Sequence, residues 1–391
     1  MNILFMADVP PVPDAGAAGT EYQTIEALRQ LGHEVEAVWT DDLPHRIKHG
    51  NLHYLLELPR AYEKQMLERL QRKSFDVVHV NQPHGYRAAR TLRRLKQKCV
   101  FIHRSHGVEM RIDRDLAPWR SKYDQDGRSQ LRKLASDSVA RALSNSSRSI
   151  ARYADGHIVS ASDCRDFLRE SLCVPEERIA VIPQAAPISF LEHPPAAMTA
   201  DRLNRILYVG QYAFFKAPMI VAEVFNQLCK ADLRLRLTWV CAREHQVQVR
   251  GLLSPEARKR INLLDWMPQD ELMQVYDEHG IFLFPSFAEG FGKVFLEAMS
   301  RGLCVVAADN GGSHDVIVHG VSGMLSPTGC VETMVSQCLE LAEPSQQAYE
   351  ISVAAAECAR SYSWERVAKG TVSFYNERLN AKSQELRSVS H

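Results

Sequence analysis

Short apolar runs recur along the chain, and each is bounded by glycine, proline or polar residues. Their length and β-branched content predict buried strands of parallel sheets. We predict strands at 3–7, 35–39, 76–80, 100–103, within 153–162, and at 178–183, 205–209, 235–240, 261–264, 280–284 and 304–308. Longer stretches with helical periodicity predict helices at 21–31, 84–98, 128–152, 163–172, 270–278, 294–300, 330–342, 345–360 and 362–379. Strands that alternate with helices are typical of doubly wound α/β domains.

The length of the chain indicates more than one such domain. At 391 residues, two domains are the natural expectation. The segment 188–202 contains Pro194 and Pro195 and lacks periodicity, so we predict a linker there. The linker separates an N-terminal Rossmann-like domain at 1–187 from a second Rossmann-like domain at 203–365.

Composition excludes several classes of protein. The 47 basic and 47 acidic residues cancel, which argues against nucleic acid as a partner. Nine scattered cysteines without a CxxC pair fit a reducing cytoplasm, so we expect a cytoplasmic location. The first residues lack the features of a secretion signal, and no apolar run approaches the ~20 residues of a membrane span. No DxD-type acidic pair follows a strand, and we expect no metal.

A glycine turn carries the strongest chemical signal in the sequence. The strand 280–284 is followed by Glu289-Gly290-Phe291-Gly292 and then by a helix that opens near Val294. This order places free backbone N–H groups and the positive end of a helix dipole at the end of a strand. A phosphate or diphosphate would bind there. The alternative is that the acids of this stretch only stabilise a helix N-terminus.

Two carboxylates bracket this anion site. Glu289 lies on the turn and Glu297 lies eight residues later in the helix, which is roughly 12 Å along a helix axis. That is about the distance from a sugar, across a diphosphate, to a ribose. Carboxylates accept strong hydrogen bonds from paired hydroxyl groups, so the pair suits both ends of a nucleotide sugar.

The pattern Glu289-x7-Glu297 resembles a known family. With its Gly-Phe-Gly insert, Gly311-Gly312 and the stretch 320–325, it is similar to the retaining, nucleotide-sugar-dependent glycosyltransferases of family 4. The resemblance implies the GT-B fold, in which two doubly wound Rossmann-like domains face a central cleft and a last helix, here 366–391, returns to the first domain. It further implies a hexosyltransferase that binds the acceptor mainly on the first domain. Transfer to an acceptor hydroxyl would retain the anomeric configuration without a metal or other cofactor.

The same resemblance assigns roles to individual residues. Glu297 would hold the donor ribose, and the donor sugar and diphosphate would be held by Glu289, Gly290, Phe291, Gly292, Lys293 and Val294. Further donor contacts would come from Gly16, Gly19, Gly210 and Lys216, of which Lys216 neutralises the diphosphate. The catalytic residues would be Glu289 and His106. His103 competes with His106 for that role, and a structural role for either histidine stays open.

The sequence departs from the family pattern at the donor diphosphate. Gln211 stands where an arginine is expected, and Asp315 stands where a glutamate is common. One cation of an expected pair is therefore missing, which keeps a non-catalytic sugar-nucleotide-binding protein as an alternative. A GT-B-like epimerase or phosphorylase is a second alternative. Trp266 could stack on the nucleobase, although a core position is slightly favoured.

The segment 87–152 holds the strongest charge asymmetry, with 17 Lys or Arg against 6 Asp or Glu. It is either a solvated helix face or a surface that binds anionic lipid headgroups on the cytoplasmic face of a membrane. The acceptor could be a glycan, a lipid-linked molecule or a protein, and bacterial-type polysaccharide or glycoconjugate synthesis is the expected context.

Overall fold

The computed structural model describes residues 1–13, 16–123 and 130–388, with the backbone alone at 17 and over 130–138. The chain divides into two compact units. The first contains Met1–Pro183 and the residues from Trp364 onward, and the second contains Gln184–Ser363. Each unit has its own sheet and its own apolar core. The predicted α/β class with two doubly wound sheets is confirmed.

The first unit is built on a six-stranded parallel sheet in the order β2-β1-β3-β4-β5-β6. Its strands are β1 (Asn2–Met6), β2 (Glu34–Val38), β3 (Val77–Asn81), β4 (Val100–Ser105), β5 (Gly156–Val159) and β6 (Ile179–Val181). Its helices are α1 (Gly16–Gln30), α2 (Gly50–Leu52), α3 (Leu58–Arg72), α4 (Tyr86–Arg94), α5 (Glu109–Tyr123), α6 (Gln130–Tyr153) and α7 (Ser162–Leu172). The strand order reverses between β1 and β3, so ligands are expected at the carboxyl ends of these strands.

The second unit has the order β12-β11-β10-β7-β8-β9, again parallel. Its strands are β7 (Arg205–Val209), β8 (Arg236–Val240), β9 (Ile261–Leu264), β10 (Ile281–Phe284), β11 (Cys304–Ala308) and β12 (Met324–Ser326). Its helices are α8 (Ile188–Glu192), α9 (Ala200–Leu203), α10 (Pro218–Ala231), α11 (Gln246–Leu252), α12 (Pro255–Arg258), α13 (Gln269–Asp277), α14 (Lys293–Ser300), α15 (Gly311–Val316), α16 (Val331–Ala342) and α17 (Gln346–Arg360). The order reverses between β7 and β10, which places the ligand edge at their exits.

The segment predicted as a linker, 188–202, is held within the second unit. It forms the short helices α8 and α9, and the buried guanidinium of Arg301 donates to the carbonyls of His193 at 2.7 Å and Pro194 at 2.9 Å. Arg301 also pairs with Asp277 at 2.7 Å. The prolines interrupt the helical periodicity of this segment, but its backbone is still held in place. Side-chain donors bind the carbonyl groups that a helix would otherwise pair.

The last helix, α18 (Trp364–Ser388), packs against α1 and β4 of the first unit. The Tyr375 hydroxyl lies 2.5 Å from His79 Nδ1, and Lys382 Nζ lies 2.8 Å from Asp155. The helix thus stabilises the unit that contains the start of the chain. Among all the helices described, none is both long and apolar enough to cross a bilayer.

Several local predictions differ from the structure. The long helices α3, α5 and α10, and several shorter ones, lie where no helix was predicted, and the predicted helix 84–98 ends at Arg94. Gly16 and Gly19, expected in a loop, lie in the first turns of α1, where Thr20 Oγ1 donates to the Gly16 carbonyl. The start of the predicted helix 128–152, at 128–129, lies outside the described residues.

Candidate active site

The glycine turn after β10 and helix α14 form as the sequence predicts. Gly292 precedes the first residue of α14 with φ +88°, and a Cβ there would lie 2.5 Å from Phe284 Cζ. Only glycine tolerates both the backbone angle and the close aromatic ring. The rings of Phe291 and Phe295 pack nearby with their centroids 5.5 Å apart. This packing fixes the N-terminus of α14, which includes Lys293 and Val294, at the ligand edge of the second sheet.

Lys216 brings the exits of β7 and β10 together. It ends a 3₁₀ turn that follows β7, and its Nζ lies 2.6 Å from Glu289 Oε1. Both side chains are largely buried, with 15% and 7% of their surfaces exposed. The ammonium group also lies over the Phe284 ring, 5.5 Å from its centroid. The two predicted donor residues are therefore one ion pair at the switch point of the sheet.

Glu297 lies on the buried side of α14 and meets a partner from another helix. The Tyr276 hydroxyl, from α13, donates to Glu297 Oε2 at 3.1 Å. Burial raises the pKa of Glu297, although the charges of Lys293 and Lys216 and the bond from Tyr276 oppose that rise. Burial also raises the pKa of Tyr276 well above its usual range. Tyr276 was missed in the sequence because nothing distinguishes it from the other residues of its predicted helix.

A second glycine turn packs against the first. Gly311 has φ +57°, and a Cβ there would lie 2.8 Å from the Glu289 carbonyl oxygen. The Gly312 N–H donates to the Phe291 carbonyl at 3.1 Å. The backbone around Glu289 is thus held from two sides, and a side chain at either glycine would displace it.

The exit of β7 is equally crowded. A Cβ on Gly210 would lie 2.8 Å from Tyr208 Oη, and the Tyr208 hydroxyl donates to the Lys216 carbonyl at 3.3 Å. Gln211, beside Gly210, is exposed. Trp266, which follows β9, is 47% exposed, so the slightly favoured core position is wrong.

In the first unit, His106 follows β4 and meets an acid from α1. His106 Nε2 lies 2.5 Å from Glu21 Oε1 and 3.2 Å from Asn81 Nδ2. Burial would raise the pKa of Glu21, but the charges of Arg104 and His106 outweigh it and lower that pKa to about 2. Arg104 donates in turn to Thr24 Oγ1 at 2.9 Å. Sequence reasoning missed Glu21, because it lies 85 positions before His106 and only the fold brings them together.

His103 belongs to the core. Its Nδ1 lies 3.1 Å from Nδ1 of His157, and both rings are buried. Burial lowers the pKa of His103 to about 3, which keeps the ring neutral at physiological pH. His106 keeps 16% of its side-chain surface exposed and can therefore reach a ligand. The geometry favours His106 over His103 as the site residue.

The predicted site residues fall into two groups. Gly16, Gly19 and His106 lie in the first unit, at the carboxyl edge of its sheet or on the adjoining helix α1. The second unit brings together the predicted donor residues Gly210, Lys216, Glu289, Gly290, Phe291, Gly292, Lys293, Val294 and Glu297. Their roles stay predictions.

Several cations of the basic segment 87–152 are neutralised inside the first unit. These pairs are Arg87–Glu63 at 2.9 Å, Arg111–Asp163 at 2.7 Å and Arg120–Asp113 at 3.2 Å. Residues 124–129 of this segment lie outside the described residues. Binding to an anionic membrane surface stays a prediction.

Two parallel six-stranded, doubly wound sheets, one with a glycine turn and two acids at its switch point, define the class of GT-B glycosyltransferases. Two family models agree with this class. Residues 16–189 match the model described as Glycosyltransferase Family 4, and residues 204–344 match the model described as Glycosyl transferases group 1. The chain belongs to the family 4 glycosyltransferases, which confirms the family predicted from its motif.

Named relatives match parts of the chain. The D-inositol 3-phosphate glycosyltransferase of Corynebacterium glutamicum is 29% identical over 189 residues, which cover 44% of this chain and 43% of that protein. The amylovoran biosynthesis glycosyltransferase AmsK of Erwinia amylovora is 33% identical over 101 residues, or 24% of this chain and 25% of that protein. The matched region spans less than half the length of these curated relatives.

Solved structures share the fold over nearly the whole chain. Sucrose-phosphate synthase from Thermosynechococcus elongatus aligns with a TM-score of 0.75 and 16% identity, covering 97% of this chain and 100% of that one. Anabaena HepE, solved in complex with UDP and glucose, aligns with a TM-score of 0.66 and 17% identity, covering 95% and 98%. At these identities the likeness concerns the fold.

Proposed function

We propose that this protein transfers a hexose from a nucleotide-diphosphate sugar to an acceptor hydroxyl, with retention of the anomeric configuration. The observation that carries this proposal is the Lys216–Glu289 ion pair, which lies at the glycine turn before the N-terminus of α14. One cation, one anion and the amides of a helix N-terminus meet at the place where a doubly wound sheet binds its ligand. A diphosphate flanked by two sugars matches that arrangement of charges.

The donor would bind along the second unit. The amides at the start of α14 and the Lys216 ammonium would hold the diphosphate, and Glu297 would accept hydrogen bonds from the ribose hydroxyls. When the donor binds, the Glu289 carboxylate would leave its ion pair with Lys216 and bind the donor hexose. The same amides and ammonium stabilise the charge that develops on the departing nucleoside diphosphate. Because protein groups supply this positive charge, the proposal needs no metal at the diphosphate.

His106 would act in the first unit, where we place the acceptor. Its imidazole, held by the anionic Glu21, can hydrogen-bond the donor hexose or the departing group in the transition state. The acceptor would be a glycan, a lipid-linked molecule or a protein, in polysaccharide or glycoconjugate synthesis. The proposed location is cytoplasmic, with contact to the cytoplasmic face of a membrane through 87–152.

A second candidate is a protein that binds a sugar nucleotide without catalysing transfer. The exposed Gln211, which replaces a cation of the family pattern, favours it. The two candidates agree on the donor site and differ in turnover alone.

A binding and turnover experiment separates these candidates. We expect one of UDP, GDP or ADP, alone or as its sugar, to raise the melting temperature, since a ligand of the native state stabilises it. E297Q should abolish that rise, while E271Q, which changes an exposed acid of α13, should leave it intact. Turnover against an acceptor panel, with NMR of the anomeric proton, then tests transfer and retention. A panel without any thermal shift would overturn both candidates, and binding without turnover would leave only the second.

A further inference from the structure

Three potential metal ligands converge at the carboxyl edge of the first sheet. Asp8 follows β1, His45 follows the 3₁₀ turn Thr40–Asp42, and His53 opens a π-helical turn before α3. Asp8 Oδ1 lies 3.2 Å from His45 Nε2, and Asp8 Oδ2 lies 3.5 Å from His53 Nε2. One ligand atom from each residue lies within 4.8 Å of the other two.

A carboxylate behind His53 makes its Nδ1 a hydrogen-bond donor. Glu57 Oε2 lies 2.9 Å from His53 Nδ1, and because a carboxylate only accepts, Nδ1 carries the proton. In the tautomer that binds a metal ion, the lone pair of the ring is on Nε2. Within the described part of the chain, this buried Nε2 has no hydrogen-bond partner, and the atom it faces is an oxygen of Asp8. In that tautomer two lone pairs face each other, and a cation bound between them would satisfy both.

Glu57 orients the second histidine as well. Its two oxygens accept the backbone N–H groups of Arg46 at 3.2 Å and Ile47 at 3.1 Å, directly after His45. The rings of His45 and His53 stack with their centroids 4.6 Å apart and their planes 22° from parallel. One carboxylate therefore holds the His53 ring directly and the backbone that follows His45, and outer-sphere carboxylates have this orienting role in metal sites.

The carboxylate of Asp8 is fixed from the opposite side. Thr40 Oγ1 donates to Asp8 Oδ1 at 2.9 Å, and it also lies 2.9 Å from His45 Nε2. Asp8 and His53 are almost fully buried, with 8% and 5% of their side-chain surfaces exposed, whereas His45 is 45% exposed. The cluster is therefore rigid on its inner side and open to solvent at His45, which gives an ion a path of entry.

We propose that Asp8, His45 and His53 bind one divalent transition metal ion, with Zn²⁺ as the expected ion, and that Glu57 orients the two imidazoles. Zn²⁺ bonds of about 2.0–2.1 Å in a tetrahedron separate neighbouring ligand atoms by about 3.3–3.4 Å. The separations of 3.2 Å from His45 Nε2 to Asp8 Oδ1 and of 3.5 Å from His53 Nε2 to Asp8 Oδ2 are close to that value. Because they end on different oxygens of Asp8, small side-chain rotations would complete the tetrahedron around the ion. Two nitrogen ligands select Zn²⁺ over Mg²⁺ or Ca²⁺, which prefer oxygen. Three protein ligands leave a fourth position for water or an anionic group.

This site is independent of the proposed donor site. All four of its residues belong to the first unit, and none of them is among the residues assigned to the donor or to catalysis. Metal binding can therefore be measured on the full-length protein without an assay of transfer. A failure to detect the proposed transfer activity would leave the metal site intact as an inference. A failure to detect metal binding would likewise leave the proposed activity intact.

The test is a Co²⁺ titration of the metal-stripped full-length chain, followed by Zn²⁺ competition and elemental analysis. We expect one equivalent of Co²⁺ with visible ligand-field bands, which Zn²⁺ displaces and Mg²⁺ does not. H45Q and H53Q should abolish these bands, and E57Q should weaken binding by about 10–100-fold. H49Q is the matched control, because His49 is exposed and lies midway between the two ligands in sequence.

Each alternative result has a defined meaning. Binding that H49Q weakens as much as H45Q would indicate adventitious surface binding and overturn the proposal. Binding that is indifferent to E57Q would overturn the role of Glu57. Absence of stoichiometric binding would show an ion-free hydrogen-bonded cluster. Since His45 is exposed, H45Q should fold normally and decide the question even if H53Q does not.

Discussion

His106 Nε2 lies 2.5 Å from Glu21 Oε1, and the Glu21 side chain is completely buried. The pair joins the turn after β4 to helix α1, so the position of the imidazole depends on the packing of α1 on the sheet. Because the pKa of Glu21 is lowered to about 2, its carboxylate stays charged at every physiological pH. A buried acid that carries charge permanently beside a partly exposed histidine is a positioning residue for that histidine.

The first prediction concerns this pair. H106A should lower kcat by about 10²–10⁴-fold, the usual contribution of a catalytic acid–base group, with a smaller change in donor affinity. E21Q should reduce kcat less and shift the pH dependence of kcat, since it removes the charge that faces His106. E26Q is the matched control, because Glu26 is a partly exposed acid of the same helix that pairs with Arg29 and not with His106.

Circular dichroism must show that E21Q folds, because removal of one partner of a buried ion pair often costs about 3–5 kcal/mol. Turnover by H106A equal to that of the native chain would reject the role of His106. A pH profile unchanged in E21Q would restrict Glu21 to a structural role.

The second prediction restores a charge. Gln211 is exposed beside Gly210 and stands where the family pattern has an arginine. Q211R should add a charge-assisted hydrogen bond to the donor diphosphate, worth about 1.5–3 kcal/mol, and so tighten donor binding by roughly tenfold or more. Calorimetry with the best nucleotide from the thermal screen measures the change. Q211K tests whether the planar guanidinium is needed, and unchanged affinity in Q211R would place the diphosphate elsewhere.

The strand–turn–helix unit at 280–300 was predictable because its signals are local. An apolar run ends at Phe284, two glycines follow, and a helix is predicted to open near Val294, so neighbouring residues alone define the unit. The partners of its acids were not predictable. Tyr276 reaches Glu297 from another helix, and Glu21 reaches His106 only through the packing of α1 on the sheet. These contacts depend on sheet order, which local patterns do not encode.

Other differences also have physical causes. Gly16 was expected in the loop that precedes the predicted helix 21–31, yet α1 begins there, at a helix end that tolerates glycine. Trp266 was slightly favoured for the core, yet it is 47% exposed after β9. The sequence pattern indicates which residues are apolar, whereas the burial of each side chain depends on where the folded chain turns.

The third prediction tests the glycine turn. G292A combines a positive φ of 88° with a Cβ only 2.5 Å from Phe284 Cζ. The backbone angle alone costs about 1–3 kcal/mol, and the clash adds to it. The melting temperature should fall by several degrees, and nucleotide binding should weaken with it. G251A is the matched control, because Gly251 lies inside α11 and a Cβ there would meet nothing within 4 Å, so alanine should be neutral or stabilising. Equal shifts in both variants would contradict this account of the turn.

The fourth prediction concerns pH and the core of the first unit, where His79, His103 and His157 are buried. Burial lowers the pKa of His79 and of His103 to about 3, and it lowers the pKa of His157 well below its usual range. In the unfolded chain each ring titrates near pH 6.5. Below that pH the three rings bind protons in the unfolded chain but stay neutral in the folded chain.

The stabilising free energy of these neutral rings is therefore present above pH 6.5 and is lost as the pH falls, by about 1.4 kcal/mol per pH unit for each ring. The stabilising contribution of Glu21 is also lost as the pH falls, but in a lower pH range. Its pKa is about 2 in the folded chain against a usual 4.5, so its contribution is lost below about pH 4.5.

Urea unfolding between pH 7.5 and 5 measures the effect. H103N keeps a hydrogen-bonding group near His157 but cannot titrate. The slope of its unfolding free energy against pH should therefore be smaller than that of the native chain by the equivalent of about one bound proton. H49N removes an exposed histidine and should leave the slope unchanged. Equal slopes in H103N and the native chain, or a His103 resonance that titrates near pH 6.5, would show that the ring is not held neutral by burial, and the core of this unit would then have to admit water.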